Sequence, residues 1–163
     1  MDTLRGNFAD RSDPLEDSEE FDQAEEYLNL WIENGNTLSV NDSIHLAYLI
    51  KELGKEQEAF TILYNARNSV ESQLNKNAGF STYFNLARIH SILGEKDEAL
   101  KYLSEAVKFG FEWGWQDFIE IDPTFENLRN DPKFQAIVKQ ARDEHAAIRA
   151  QVQEIMEQEN IDL

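Results

Sequence analysis

The apolar positions between residues 41 and 110 follow one pattern twice, at an offset of 40 residues. Each copy has Leu-Ala, then Leu-Gly seven residues later, then Glu-Ala, Leu and Ala. The members are Leu46, Ala47, Leu53, Gly54, Glu58, Ala59, Leu63 and Ala66, followed by Leu86, Ala87, Leu93, Gly94, Glu98, Ala99, Leu103 and Ala106. Small and large apolar residues that recur in one register are typical of a structural repeat.

Each copy predicts two helices that are separated by its glycine. Apolar residues recur at steps of three and four on both sides of Gly54, which is the spacing of an amphipathic helix. The glycine itself suits the left-handed conformation that ends a helix. Ala47 and Ala87 leave room for a partner helix to approach. The sequence therefore predicts two helical hairpins, over 40–77 and 80–110.

These residues resemble the tetratricopeptide repeat, a family of stacked helical hairpins. The positions that correspond to the family pattern are Ser43, Leu46, Ala47, Ile50, Gly54, Ala59, Leu63 and Ala66, then Tyr83, Leu86, Ala87, His90, Gly94, Ala99, Leu103 and Ala106. Ser43, Ile50 and His90 depart from the family's residue types, and both units lack its terminal proline. The resemblance implies an all-α fold, namely a short α-solenoid of tetratricopeptide-like hairpins.

The flanking segments are predicted to close this stack at its two ends. Asp-Pro pairs at 13–14, 122–123 and 131–132 each suit an N-cap followed by proline in the first helical turn. The predicted segments are a flexible acidic tail at 1–12, and a single domain at 13–163 that comprises a capping helix at 13–35, repeat 1 at 40–77, repeat 2 at 80–110, an aromatic and Asp-Pro capping segment at 111–131, and a C-terminal helix at 132–160.

The C-terminal third has two notable features, of which the first has two interpretations. The aromatic cluster Phe109, Phe111, Trp113, Trp115 and Phe118 is interpreted as cover for the end of the stack, because aromatic residues supply large apolar areas. A ligand pocket is the other interpretation. The ending itself resembles that of tetratricopeptide regions in bacterial multidomain proteins, through Asp122, Pro123, Phe125, Leu128, Arg129, Asp131, Pro132 and Phe134.

Composition narrows the functional classes. The net charge of −17 over 163 residues argues against nucleic acid, which binds a basic face, and against an anionic membrane surface. Without cysteine there is neither a disulfide framework nor a thiolate ligand. We find no apolar signal region and no stretch that could span a membrane, so a cytoplasmic location is expected.

A search for chemistry predicts no catalytic, cofactor-binding or metal-binding residues, and so no enzyme. His45, His90 and His145 lie on three different predicted helices, and none has a second ligand at a convincing spacing. His90 is expected to be a packed, hydrogen-bonded residue. Neither a nucleophile elbow nor a phosphate-binding glycine loop is present.

The resemblance also implies where a partner would bind. In relatives, the first helix of each hairpin lines a concave face that holds peptides. The expected partner-binding residues are Tyr48, Lys51, Phe84, Arg88 and Ser91. Phe84 has a second interpretation, as a residue that packs against a capping helix. The expected partner is a protein segment that is basic and carries an apolar anchor, since the acidic chain attracts cations.

Two functions remain from the sequence. The first is a non-catalytic protein-interaction module, and the alternative is a structural or regulatory C-terminal region of a larger enzyme or signalling protein. An apolar stripe from Ile148 to Met156 allows either a monomer or a weak homodimer.

Overall fold

A computed structural model describes Glu26, residues 38–109 and residues 119–159. These residues form helices and turns and contain no strand, which confirms the predicted all-α class for the described part of the chain. The predicted tail at 1–12, the capping helix at 13–35 except for Glu26, and the aromatic cluster except for Phe109 lie outside the described residues.

Five α-helices and one 3-10 helix lie entirely within the described residues, and Glu26 and residues 119–121 are also helical. The former are α1 (Val40–Glu52), α2 (Glu56–Asn77), α3 (Phe80–Ile92), α4 (Lys96–Lys108), the 3-10 helix (Pro123–Leu128) and α5 (Pro132–Glu159). The chain divides into two compact units, Met1–Ile62 and Leu63–Leu163, and the boundary falls within α2. The single-domain assignment stays a prediction.

A capping box starts α1 at Ser39. The Ser39 hydroxyl accepts a hydrogen bond from the backbone N–H of Asp42 at 3.2 Å. The Asp42 carboxylate accepts one from the backbone N–H of Ser39, also at 3.2 Å. Each side chain therefore satisfies a backbone donor that the first helical turn leaves without a partner.

The two glycine turns have nearly the same geometry, 40 residues apart. Gly54 has φ +77° and Gly94 has φ +80°, in the left-handed region that favours glycine. The N–H of Gly54 donates to the carbonyl of Lys51, and the N–H of Gly94 donates to that of Ser91, each at 2.9 Å. Both glycines thus end a helix as predicted, because their backbone conformation reverses the chain.

The core of the second unit lies where α3 packs against α4 and both meet the segment that follows. Ala87, Ala99 and Ala106 are fully buried, so these small side chains permit close helix contact. Larger side chains fill the surrounding space. The cluster also includes Phe84, Leu100, Leu103, Ile119, Phe125, Leu128, Phe134 and Val138.

Replacement of Ala87 by Leu tests this packing. Ala87 is fully buried in the cluster, so three added carbon atoms have no room. We expect Ala87→Leu to lower the free energy of unfolding by about 1–3 kcal/mol through overpacking. Denaturant midpoints would measure the change. Ala146→Leu on the exposed side of α5 is the matched control and should stay within about 0.5 kcal/mol of the parent. Equal midpoints for both variants would contradict the assigned packing.

Candidate functional site

Three of the predicted partner-binding residues lie together on one face of α3. Phe84, Arg88 and Ser91 follow each other at steps of four and three, which places their side chains in one row along the helix. All three are buried, with Arg88 only 2% exposed and Ser91 fully covered. A charged guanidinium this deep requires compensation, because its desolvation is costly.

The chain's own segment at 121–130 covers this row. The Phe84 ring meets Phe125 edge-on, with 5.7 Å between ring centroids, and it stacks on Phe80 at 5.2 Å. The guanidinium carbon of Arg88 lies 5.8 Å from the centroid of Phe84. The Arg88 guanidinium thus lies beside the aromatic pair, Phe84 and Phe125, that joins α3 to the 3-10 helix.

An ion pair joins the segment to α3. Arg88 Nε lies 3.1 Å from Asp122 Oδ2, and both side chains are largely withdrawn from solvent. Burial lowers the pKa of Arg88, and the Asp122 carboxylate acts in the opposite direction because it favours the charged form. Asp122 also caps the 3-10 helix, accepting from the Thr124 N–H at 2.9 Å. One carboxylate therefore both starts the 3-10 helix and compensates the buried cation.

Hydrogen bonds from Ser91 complete the contact. Its hydroxyl donates to the carbonyl of Thr124 at 2.6 Å, and Ser91 Oγ also lies 2.8 Å from Asn127 Oδ1. In return, Asn127 Nδ2 donates to the backbone carbonyl of Ser91 at 2.9 Å. The row on α3 thus offers an apolar, an ionic and a hydrogen-bonding contact, and residues 121–130 use all three.

The other two predicted residues, Tyr48 and Lys51, lie on α1 in the first unit. Both are half-buried. At the 40-residue offset they correspond to Arg88 and Ser91, and Ile44 corresponds to Phe84. The five predicted residues therefore fall into two groups, one on each unit, and three of them are covered by the chain itself.

Sequence reasoning missed the partners of the α3 row. Asp122 was interpreted only as a helix cap, and Asn127 was not singled out. The available signal was Arg88 itself, an arginine at a position that the resemblance places on the groove side of the first helix. A cation that becomes buried there needs a nearby carboxylate. Nothing in residue spacing says which of the 32 acidic residues supplies it.

His90 is packed and hydrogen-bonded, as its sequence context predicts. Its ring stacks on Tyr102 with 5.1 Å between centroids. Nδ1 lies 2.5 Å from Glu95 Oε2, and because a carboxylate only accepts, the imidazole Nδ1–H is the donor. This bond joins the end of α3 to the start of α4 across the Gly94 turn. Within the described ranges, no group of three or more His, Asp or Glu side chains is arranged to hold a metal ion.

A scan against protein-family models finds no match for the chain, and searches of curated proteins and of solved structures find no similar protein either. In the part that the structure describes, no helix combines the length and apolar character that crossing a membrane requires.

Substitutions at Asp122 and Arg88 test the buried ion pair. Asparagine caps a helix as well as aspartate does, so Asp122→Asn removes the charge and keeps the cap. We expect this variant to lose about 3 kcal/mol of unfolding free energy, since it strands the Arg88 cation. The double variant Arg88→Met/Asp122→Asn should recover most of that loss. Chemical denaturation of the single and double variants measures the coupling.

An exposed ion pair provides the matched control. Arg142 Nη2 pairs with Glu120 at the surface. Solvent screens such a pair, so Glu120→Gln should change stability by less than about 1 kcal/mol. If Asp122→Asn proves as mild as Glu120→Gln, the pair does not hold residues 121–130 on α3.

Proposed function

We propose that this protein is a non-catalytic protein-interaction module, built from two tetratricopeptide-like hairpins, that holds a polypeptide segment against the first helix of a hairpin. One observation carries the proposal. The predicted residues Phe84, Arg88 and Ser91 all contact one short stretch of polypeptide, residues 121–130.

The contact between α3 and residues 121–130 has the composition of a peptide-binding site. Phe125 supplies an apolar anchor, Asp122 a charge, and Thr124 a backbone carbonyl. Anchor residues in pockets give affinity, whereas directional polar contacts give register. An α3 row that holds a stretch of polypeptide in this way supports the proposal that Tyr48 and Lys51, the half-buried counterparts of Arg88 and Ser91 on α1, contact a segment of another protein.

The α1 row suggests the chemistry of that segment. Tyr48 offers the area of an aromatic ring, and Lys51 offers a cation that suits a carboxylate. The net charge of −17 favours encounter with a basic partner through long-range attraction. A segment that has an apolar anchor, one acidic group beside it and basic residues further away would satisfy both influences.

Binding of a peptide array to variants of the α1 row tests the proposal. We expect Tyr48→Ala to weaken the best ligands by at least about tenfold, since truncated aromatic anchors are typical hot spots. Lys51→Ala should weaken the binding only of those ligands that contain an acidic residue. Lys76→Ala, which removes an exposed lysine from α2, is the matched control for loss of charge. Circular dichroism should show all three variants to be folded.

Two outcomes of that experiment would count against the α1 row. If neither Tyr48→Ala nor Lys51→Ala changes the affinity of the ligands, the binding site does not include α1. Association that does not slow with added salt would remove the steering argument, because screening weakens attraction between separated charges. Phe84→Ala is unsuitable as a binding probe, since Phe84 belongs to the core and its truncation destabilises the fold.

The second candidate is a structural or regulatory region of a larger protein, and one observation favours it. Large apolar side chains that are exposed in the described residues lie outside α1 and α3. They are Phe60, Tyr64, Phe109, Ile121, Ile148, Val152 and Ile155. If the array yields no ligand that depends on Tyr48 or Lys51, this function becomes the better account of the chain.

A further inference from the structure

The second half of α5 has an uncovered apolar stripe. In the first half of the helix, Phe134, Val138 and Ala141 are buried, and the first two join the core of the second unit. At the same helical spacing, Ile148, Val152 and Ile155 continue this line but are 54%, 42% and 57% exposed. Three β-branched apolar side chains in one row are unusual for a helix face that only meets water.

We propose that this stripe, Ile148, Val152 and Ile155, binds the same stripe of a second copy of the chain, with the two α5 helices parallel and in register. The steps of four and three between these residues are those of a coiled-coil seam, in which one helix inserts its side chains between those of the other. The inference concerns a surface separate from α1 and α3, and it does not depend on the proposed peptide binding.

The charges that flank the stripe are complementary to a parallel copy. Glu144 and Arg149 occupy the two edges of the seam, on opposite sides of it. In a parallel in-register pair, Glu144 of each copy lies beside Arg149 of the other, which makes two favourable ion pairs. An antiparallel pair with Ile148 facing Val152 of the other copy would instead bring the two Arg149 side chains together.

Most acidic residues of this half of α5 lie off the seam, and the one that lies on it, Glu159, comes four residues after Ile155 and ends the stripe. Asp143, Glu154 and Glu157 lie on the outer side of the helix and are exposed. Their side chains are engaged along α5, since Lys139 pairs with Asp143 and Gln153 Nε2 lies 3.3 Å from Glu157 Oε1. The edges next to Val152 and Ile155 carry Gln151 and Met156, which are uncharged. Between Ile148 and Ile155, an acidic chain can therefore present this face to its own copy without placing like charges in contact.

Disulfide trapping tests the parallel arrangement, because the chain has no cysteine of its own. A single cysteine at Ile155→Cys would face its counterpart in the parallel pair, within the reach of a disulfide. In the antiparallel pair, position 155 faces position 145 of the other copy and lies too far from its own counterpart. Glu154→Cys, on the outer side of α5, is the matched control for random collision.

We expect Ile155→Cys to form covalent dimers under mild oxidation at least about tenfold faster than Glu154→Cys, given the geometric demands of the disulfide. Equal rates for the two cysteines would overturn the parallel pairing. Both positions are exposed, so neither substitution removes core packing from the monomer.

Sedimentation of the cysteine-free protein tests whether the stripe causes association. At high concentration, and at moderate salt that screens the net charge, we expect reversible self-association. Ile148→Asn and Ile155→Asn should each raise the dissociation constant of the dimer by at least about tenfold, because each replaces an apolar side chain of the seam by a polar one. Ala150→Asn on the outer side is the control and should leave it unchanged.

Two results would overturn the proposal. One is a monomer at every concentration and salt level. The other is self-association that Ile148→Asn and Ile155→Asn do not weaken, which would assign the contact to another surface. If a helix of another protein binds the stripe while this chain stays monomeric, the proposed self-association is likewise overturned.

Discussion

The second unit depends on the compensation of one buried charge. Arg88 lies in the second half of α3 with only 2% of its surface exposed, and a guanidinium buried to this extent requires a carboxylate close by. Asp122 supplies it at 3.1 Å, which places the start of residues 121–130 beside α3. Once Asp122 is placed, the 3-10 helix that it caps directs Phe125 and Leu128 into the core. The start of α5 follows, with Phe134 packed on Phe125.

This arrangement gives the row Phe84, Arg88 and Ser91 on α3 a structural role. A row of residues that the repeat resemblance predicts to bind a partner is used by the chain to complete its own core. Phe84 and Ser91 contribute to stability through Phe125, Thr124 and Asn127, so substitutions at these positions act on folding before they act on any partner. A search for partner contacts is therefore better directed to α1 and to the second half of α5, where stability and binding can be separated by measurement.

The distribution of charge is consistent with such a division of surfaces. A chain with a net charge of −17 repels its own copies over long distances, so self-association requires a face from which like charges have been removed. On α5 the stretch from Ile148 to Ile155 meets this condition, since Glu154 and Glu157 lie on the outer side of the helix and Glu159 comes after the stripe. For the proposed basic partner, the same net charge would act as a long-range attraction. Added salt should therefore favour self-association through α5 and slow association with a basic segment.

Much of the local structure followed from sequence alone, because its causes are local. Gly54 and Gly94 end helices through their own backbone conformation, as the repeat pattern predicts. The helix boundaries and the buried alanines follow from periodicity, which depends on neighbours three and four residues away. These features needed no knowledge of the rest of the chain.

Only the tertiary structure decided how the candidate site is used. Ser91 and Thr124 are 33 residues apart, and Ser91 and Asn127 are 36 apart. No periodicity links such positions, and Asp122 serves equally well as a helix cap whether or not a cation lies beside it. The sequence determined which side chains α3 presents on one face, since that depends on the helical repeat. Whether this face meets a partner or the chain itself depends on the path of the residues that follow α4, and that path is set by burial and charge compensation across the whole unit.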